Sequence, residues 1–213
     1  MPMRDMFTQE FWDARYAGRE RVWSGRPNPQ LVAQASALAP GTALDVGCGE
    51  GADAIWLAER GWTVTGVDVS PVGLSRAAEH AAQAGTAIAA RIDWLHADLF
   101  AKEAEPFGAF GLVNSQYLHL PPELRERALH RLAESVAPGG RLLVVSHHPA
   151  DLEIPGLRPN VPELFYTASE LAGLLDLAHW EIVVDAAPER TANGPDGRPV
   201  TVRDAVLHAH RRD

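Results

Sequence analysis

Residues 42–68, TALDVGCGEGADAIWLAERGWTVTGVD, hold a short apolar run, a glycine-rich break, a stretch with helical spacing and a second apolar run. Two apolar strands joined through a helix lie parallel, because an antiparallel pair needs no more than a tight turn. The alternation continues along the chain. PVGLSRAAEHAAQAG carries Pro71 at a first helical turn, RIDWLHADL reads as a third strand and FGLVNSQYLHL as a fourth. PPELRERALHRLAESVAPGG is a helix entered through Pro121 and Pro122, RLLVVSH a fifth strand and TASELAGLLDLA a further helix. The tail adds two β-like runs, WEIVVDAA and TVRDAVLHAHR, and the turn around NGPDGRP between them makes them antiparallel. The expected fold is α/β: a doubly wound, seven-stranded mixed sheet, parallel up to a terminal antiparallel hairpin, with helices on both faces. Ahead of the sheet, Thr8 caps a helix that Gly18 stops, and residues 28–39 form a second helix with Leu31, Ala35 and Leu38 on one face.

Composition removes several classes of function. The net charge is -9, the arginines are scattered and Lys102 is the one lysine, so a phosphate backbone would be repelled and no nucleic-acid partner is expected. No apolar run approaches the roughly 20 residues that cross a bilayer, and MPMRDMFTQE lacks the apolar stretch of a signal peptide. A soluble, cytoplasmic protein without a membrane partner is expected. Cys48 stands alone, which leaves no disulfide framework or cysteine zinc site, and the histidines show no metal-ligand spacing, so no metal is expected.

The break LDVGCGEG lies where a strand gives way to a helix. Gly47, Gly49 and Gly51 let the backbone turn tightly and come close to a ligand. Asp68 ends the next strand, 19 residues after Gly49, where an acidic side chain accepts the ribose hydroxyls of an adenosine. A dinucleotide site would use G-x-G-x-x-G. Here the pattern is G-x-G-x-G, preceded by Asp45, whose charge opposes a pyrophosphate. Asp98 at the end of the third strand suits an adenine amino group, and the Leu99 amide suits the ring. An adenosine joined to a cation fits these features, and S-adenosylmethionine is such a ligand.

From Gly41 to His147 the chain resembles the class I S-adenosylmethionine-dependent methyltransferases, through LDVGCGEG, GVDVS, ADL, LVNSQYLHL and PGGRLLVVS in that family's order. Gly111 departs from it, where members often have an acidic residue. The lead-in FWDARYAG…VWSGRPNPQLV is similar to that of the thiopurine, thiol/halide and tellurite-resistance methyltransferases, and GCGEGA fits the Cys-Gly pair of the thiopurine enzymes. The resemblance implies a Rossmann-like sheet with an N-terminal helical lid. It divides a single domain, 1–213, into lid helices (1–40), a cofactor-binding core (41–150) and an acceptor-side helix and hairpin (151–213). It further implies that Trp12 and Tyr16, one helical turn apart, cover the cofactor, that Trp23 borders the acceptor pocket, and that Arg26 pairs with the methionine carboxylate. Asp45, Gly47, Cys48, Gly49, Asp68, Val69, Asp98, Leu99, Asn114 and Ser115 complete the cofactor set, and S-adenosylhomocysteine is the product. A sulfonium is attracted to π faces, which gives the aromatic lead-in a physical reason.

Methyl transfer is an in-line displacement that needs alignment, plus a base where the acceptor is protonated. The candidates lie in loops after the fourth and fifth strands: NSQYLHLP supplies Asn114, Ser115, Tyr117 and His119 and VVSHHP supplies His147 and His148, near the carboxyl ends of parallel strands, where such sheets bind ligands. Tyr117, His119, His147 and Trp23 form the expected catalytic set. His80, His130, His208 and His210 read as solvated. NSQY lacks the two prolines of enzymes that methylate planar amino groups, and Phe165 and Tyr166 in VPELFYTASEL offer a second pocket wall. The partner is then a small-molecule acceptor, with a thiol or chalcogen favoured and oxygen or nitrogen acceptors open, bound by a monomer or homodimer. The rivals are a nicotinamide oxidoreductase and a non-catalytic S-adenosylmethionine sensor.

Overall fold

The computed structural model describes residues 7–19, 21–101 and 107–213. In chain order the elements are α1 (Gln9–Ala17), α2 (Pro29–Ala35), β1 (Thr42–Val46), α3 (Ala52–Glu59), β2 (Thr63–Asp68), α4 (Pro71–Ala84), α5 (Thr86–Ala89), β3 (Ile92–His96), β4 (Phe110–Gln116), α6 (Pro122–Glu134) and β5 (Val136–His147). After two 3-10 turns, Pro149–Glu153 and Pro162–Leu164, come α7 (Ala168–Ala172), β6 (Trp180–Ala186), β7 (Glu189–Asn193) and β8 (Pro199–Arg211). No helix among the described residues is long and apolar enough to cross a membrane.

The sheet runs β3-β2-β1-β4-β5-β8-β6. Its first five strands are parallel, and β8 is inserted antiparallel between β5 and β6. Strand order reverses at β1, so the carboxyl ends of β1 and β4 diverge and open the crevice where such sheets hold ligands. Neighbouring strand residues point to opposite faces. Leu44, Val113, Leu142 and Leu207 pack with Leu129 and Leu132 of α6 and Leu171 of α7. Ala43, Leu112, Leu143 and Val206 pack with Leu31 of α2 and Trp56 and Leu57 of α3. This double burial explains why the strands read as continuous apolar runs.

Local chemistry sets the helix starts. Thr8, Asn28, Ser70 and Thr167 each accept a backbone N–H at an N-terminus, and Thr167 and Glu170 form a reciprocal capping box. The second lid helix ends at Ala35, short of the expected 39, and β3 ends at His96, so Asp98 lies beyond the strand in a turn. The tail differs more. An eighth strand, β7, pairs with the first half of the 13-residue β8 across the turn at 194–198, while β6 pairs with its second half. ERTAN is too polar to signal a strand by itself, yet β8 leaves its first half in need of a partner, and β7 supplies the ladder.

Candidate functional site

The glycine turn is stapled to the end of β2. Gly47 and Cys48 both donate N–H groups to the Val67 carbonyl, at 2.8 and 3.1 Å, and Gly49 N–H donates to Asp68 Oδ2 at 2.8 Å. Asp68 Oδ1 accepts Ser70 N–H at 2.9 Å. Amides that a pyrophosphate would require are therefore engaged. A carboxylate offers about four acceptor sites, so Asp68 keeps roughly two for hydroxyl donors.

The turn is also strongly acidic. Asp45 is buried and its Oδ2 has no partner among the described residues. Burial, then the charges of Asp53 and Asp68, push its carboxyl well up. Burial also raises Asp68, and lifts Asp53 to about 6 although Asp53 accepts Asn28 N–H at 2.6 Å. Three mutually repelling carboxylates with one bare oxygen fit a cation, and they disfavour the dinucleotide of the oxidoreductase rival.

Aromatic side chains of the N-terminal segment press on this turn. Gly49 (φ +54°) has no room for a side chain: a Cβ would stand 2.8 Å from Tyr16 Oη and 3.2 Å from Trp23 Nε1. Tyr16 is buried, its ring also against Gly73, and Trp23 Nε1 donates to its hydroxyl at 3.2 Å. Trp12 lies 5.9 Å from Tyr16 and 6.3 Å from Trp23 between ring centroids, and Arg15 stands over both tryptophans. Trp12, Tyr16 and Trp23 thus form one cluster. The residues expected to cover the cofactor and the one expected to border the acceptor therefore stand side by side. Arg26 is exposed, and among the described residues its guanidinium pairs with no carboxylate.

Sequence reading missed what fastens the lid. Glu50, buried inside the glycine motif, accepts Val22 N–H (3.1 Å), Trp23 N–H (3.0 Å) and Arg76 Nη1 (3.1 Å). Asp13 on α1 accepts Ser70 Oγ.

At the end where the sequence reading places the adenine, Asp98 is exposed and its Oδ1 accepts Phe100 N–H at 2.7 Å, while the Asp98 and Leu99 carbonyls take Arg131 Nη1. The Val69 carbonyl is bonded to His96 Nε2. Asn114 and Ser115 were expected in a loop after the fourth strand. They lie within β4, fully buried, donating to the Leu44 carbonyl at 3.1 Å and the Val46 carbonyl at 2.9 Å across to β1. His208, expected to be solvated, is buried on β8 and bonded to Gln34 and Arg141, because its position faces α2.

The acceptor-side candidates do converge. Tyr117, past the end of β4, stacks on His147 at 4.3 Å, and His147 on His119 at 4.9 Å, with Phe165 5.7 Å from His119. Tyr117 has φ +55°, the single such non-glycine among the described residues. Burial, then the nearby charge of Arg158, lowers His119 to about 4. His147 falls to about 2, through burial first, then His119, Arg158 and Arg190. Both imidazoles are neutral at pH 7, and His119 Nε2 and His147 Nδ1 are buried without hydrogen-bond partners. Asp204 on β8 was not among the residues nominated from the sequence. It is wholly buried and accepts Tyr117 Oη, Arg190 Nε and Gln30 Nε2 at 3.0, 2.9 and 3.2 Å.

A methyltransferase domain family matches residues 43–140. The 2-heptyl-1-hydroxyquinolin-4(1H)-one methyltransferase of Mycobacteroides abscessus is 32% identical, over 95% of this chain and 97% of its own. The thiopurine S-methyltransferase of Vibrio cholerae serotype O1 is 32% identical, over 76% and 78%. Among solved structures, the N-methyltransferase NodS of Bradyrhizobium japonicum WM9 in complex with S-adenosyl-L-homocysteine has a TM-score of 0.69 at 19% identity, over 97% of this chain and 98% of that one. A cation-suited glycine turn in this sheet, together with full-length similarity to a methyltransferase, identifies the chain as a member of the class I S-adenosylmethionine-dependent methyltransferases.

Proposed function

We propose that this enzyme methylates an acidic hydroxyl on a small, planar heteroaromatic acceptor, and that His119 receives the proton. The observation that carries the proposal is His119 Nε2: a buried nitrogen without a partner, in a ring stacked among His147, Tyr117 and Phe165. The Tyr117 backbone favours a proton on the other ring nitrogen, which leaves the Nε2 lone pair for the acceptor. Stacked rings at 4.3 and 4.9 Å, with the Phe165 ring tilted beside them, suit a flat substrate.

The weakness of this base selects the acceptor. Moving a proton from an ordinary phenol near 10 to a base near 4 costs about 8 kcal/mol, and from an ordinary thiol near 8.5 about 6 kcal/mol. A hydroxyl that ionises near 6 is already largely an anion at pH 7, and moving the proton of the remaining fraction costs only about 3 kcal/mol. An acidic, heteroaromatic hydroxyl is thus the better match, as the hydroxyquinolone relative also suggests. A heteroaromatic thiol is the second reading, supported by the thiopurine relative and by the sequence preference for sulfur or chalcogen.

S-adenosylmethionine supplies the methyl group when bound. We assign its ammonium to Asp45, whose bare Oδ2 lacks a cation, its ribose to Asp68, its adenine to Asp98 and Leu99, and its carboxylate to Arg26. Gly47, Cys48, Gly49 and Val69 shape the floor, and Asn114 and Ser115 fix β4 against β1. Trp12, Tyr16 and Trp23 exclude water.

The test is methyl transfer from labelled S-adenosylmethionine to 2-heptyl-1-hydroxyquinolin-4-one, a thiopurine, a simple phenol and an alkyl thiol, read by mass spectrometry. The hydroxyquinolone should give the highest kcat/KM, and His119→Ala should lower kcat by about 10-fold, more at pH 5.5 than at pH 8, with unchanged affinity for S-adenosylhomocysteine. A phenol or alkyl thiol as best acceptor, or full activity in His119→Ala, overturns the reading.

A further inference from the structure

We infer that Asp204 is the positioning residue of the acceptor site, the buried carboxylate that fixes Tyr117 beneath the two histidines and ties them to the N-terminal segment. The inference rests on the acceptor reading given above. Asp204 lies directly opposite His147 in the antiparallel pairing of β5 with β8, and His147 Nδ1 stands 4.0 Å from its Oδ1. Its own N–H is held by the Pro188 carbonyl at 3.1 Å, so the strand around it is anchored.

A wholly buried carboxylate is costly unless it is compensated, and here the compensation comes from three separate parts of the chain. Arg190 of β7 forms an ion pair with Oδ2 and also reaches the Tyr117 hydroxyl at 3.3 Å. Gln30 of α2 donates to Oδ2. Tyr117 donates to Oδ1. No apolar residue could join these groups, and a simple packing role would not need them.

Tyr117 shows why such a device is required. Its left-handed backbone is unfavourable for a side chain with a Cβ and persists only when the surroundings over-determine it. Three contacts do so: its N–H to the Val145 carbonyl at 2.7 Å, its hydroxyl to Asp204, and its ring on His147. The backbone bond holds the strand end, and the ring carries the stack. The bonds of its hydroxyl to Asp204 and to Arg190, itself paired with Asp204, set the height of the ring along that stack, and hence where His119 presents its free nitrogen. Asp204 touches no acceptor atom in this scheme. It acts through Tyr117 and His147.

The experiment uses the full chain with Asp204→Asn, Tyr117→Phe and the double variant. With 2-heptyl-1-hydroxyquinolin-4-one as acceptor, each single variant should lower kcat by about 10- to 100-fold, since small misplacements have effects of that size. Affinity for S-adenosylhomocysteine should stay within about twofold, and the double variant should be no worse than the poorer single one. A second readout needs no turnover: the ring-proton resonances of His119 and His147, shifted by the Tyr117 ring current, should move alike in Asp204→Asn and Tyr117→Phe. Additive losses, or histidine resonances unmoved by Asp204→Asn, overturn the inference. Should Asp204→Asn not fold, Tyr117→Phe breaks the same bond while leaving the carboxylate its ion pair, and unmoved resonances there have the same meaning. If wild type does not methylate the hydroxyquinolone but the resonances move, the acceptor reading fails and the positioning role stands.

Discussion

The two halves of the site are built in opposite ways. On the cofactor side the recognition elements lie close together in sequence: Asp45 to Gly51 in one turn, Asp68 at the next strand end, and their bonds run largely through backbone amides. On the side proposed for the acceptor, the Asp204 carboxylate gathers side chains from distant segments, such as Tyr117 across 87 residues and Gln30 across 174. Backbone recognition tolerates substitution poorly at glycines and well elsewhere. Side-chain recognition can be rebuilt one residue at a time, which suits a half that must change with the acceptor.

The contrast can be broken most sharply at Gly49. A Cβ there meets Tyr16 Oη at 2.8 Å on a backbone with φ +54°, so Gly49→Ala should weaken S-adenosylhomocysteine binding by at least about 100-fold, near 3 kcal/mol, measured by calorimetric titration. Native-like affinity would show that the lid does not seat on the turn. Asp68→Ala comes next. Losing the acceptor of Gly49 and Ser70 N–H groups should lower the same affinity by about 10- to 100-fold, with kcat at saturating cofactor little changed. A fall in kcat alone would move Asp68 to the acceptor half.

A third test uses pH. His147 has a folded pKa of about 2, far below its unfolded value of 6.5, so between those values the unfolded chain binds more protons and stability falls as pH drops below about 6.5. His119, at about 4, acts in the same direction down to about pH 4. Asp53, raised to about 6, acts oppositely between 3.8 and 6. Replacing one of these groups, His147→Gln, should flatten the dependence of unfolding free energy on pH between 4.5 and 6 by about 1 kcal/mol per pH unit. An unchanged slope in denaturant titrations would mean that His147 is solvated. The smallest effect belongs to the lid: Trp23→Phe removes the donor to Tyr16 Oη and should weaken cofactor binding by about fivefold, near 1 kcal/mol. A change in acceptor KM alone would restore the division of labour expected from the sequence.

Legibility in the sequence follows the same line. The helix caps, the parallel strands and the glycine turn were readable because each is decided within a few residues, by a capping side chain, an apolar run or the lack of a Cβ. β7 was not readable, since Glu189–Asn193 is polar and becomes a strand only because β8 outruns β6. Asn114 and Ser115 looked like loop donors, and only the register of β4 on β1 turns them onto Leu44 and Val46. Tyr117, His119 and His147 could be nominated by residue type. Their stacking could not.

By itself the sequence determined the doubly wound sheet, the cation-suited turn and the family's chemistry, because these depend on periodicity, glycine spacing and local charge. The tertiary structure alone decided that Glu50 latches the lid and that Asp204 sits beneath Tyr117. A strand residue shows in its sequence only that its side chain alternates with its neighbours. Which groups it meets is set by strand order and register, and these are fixed by packing over the whole chain.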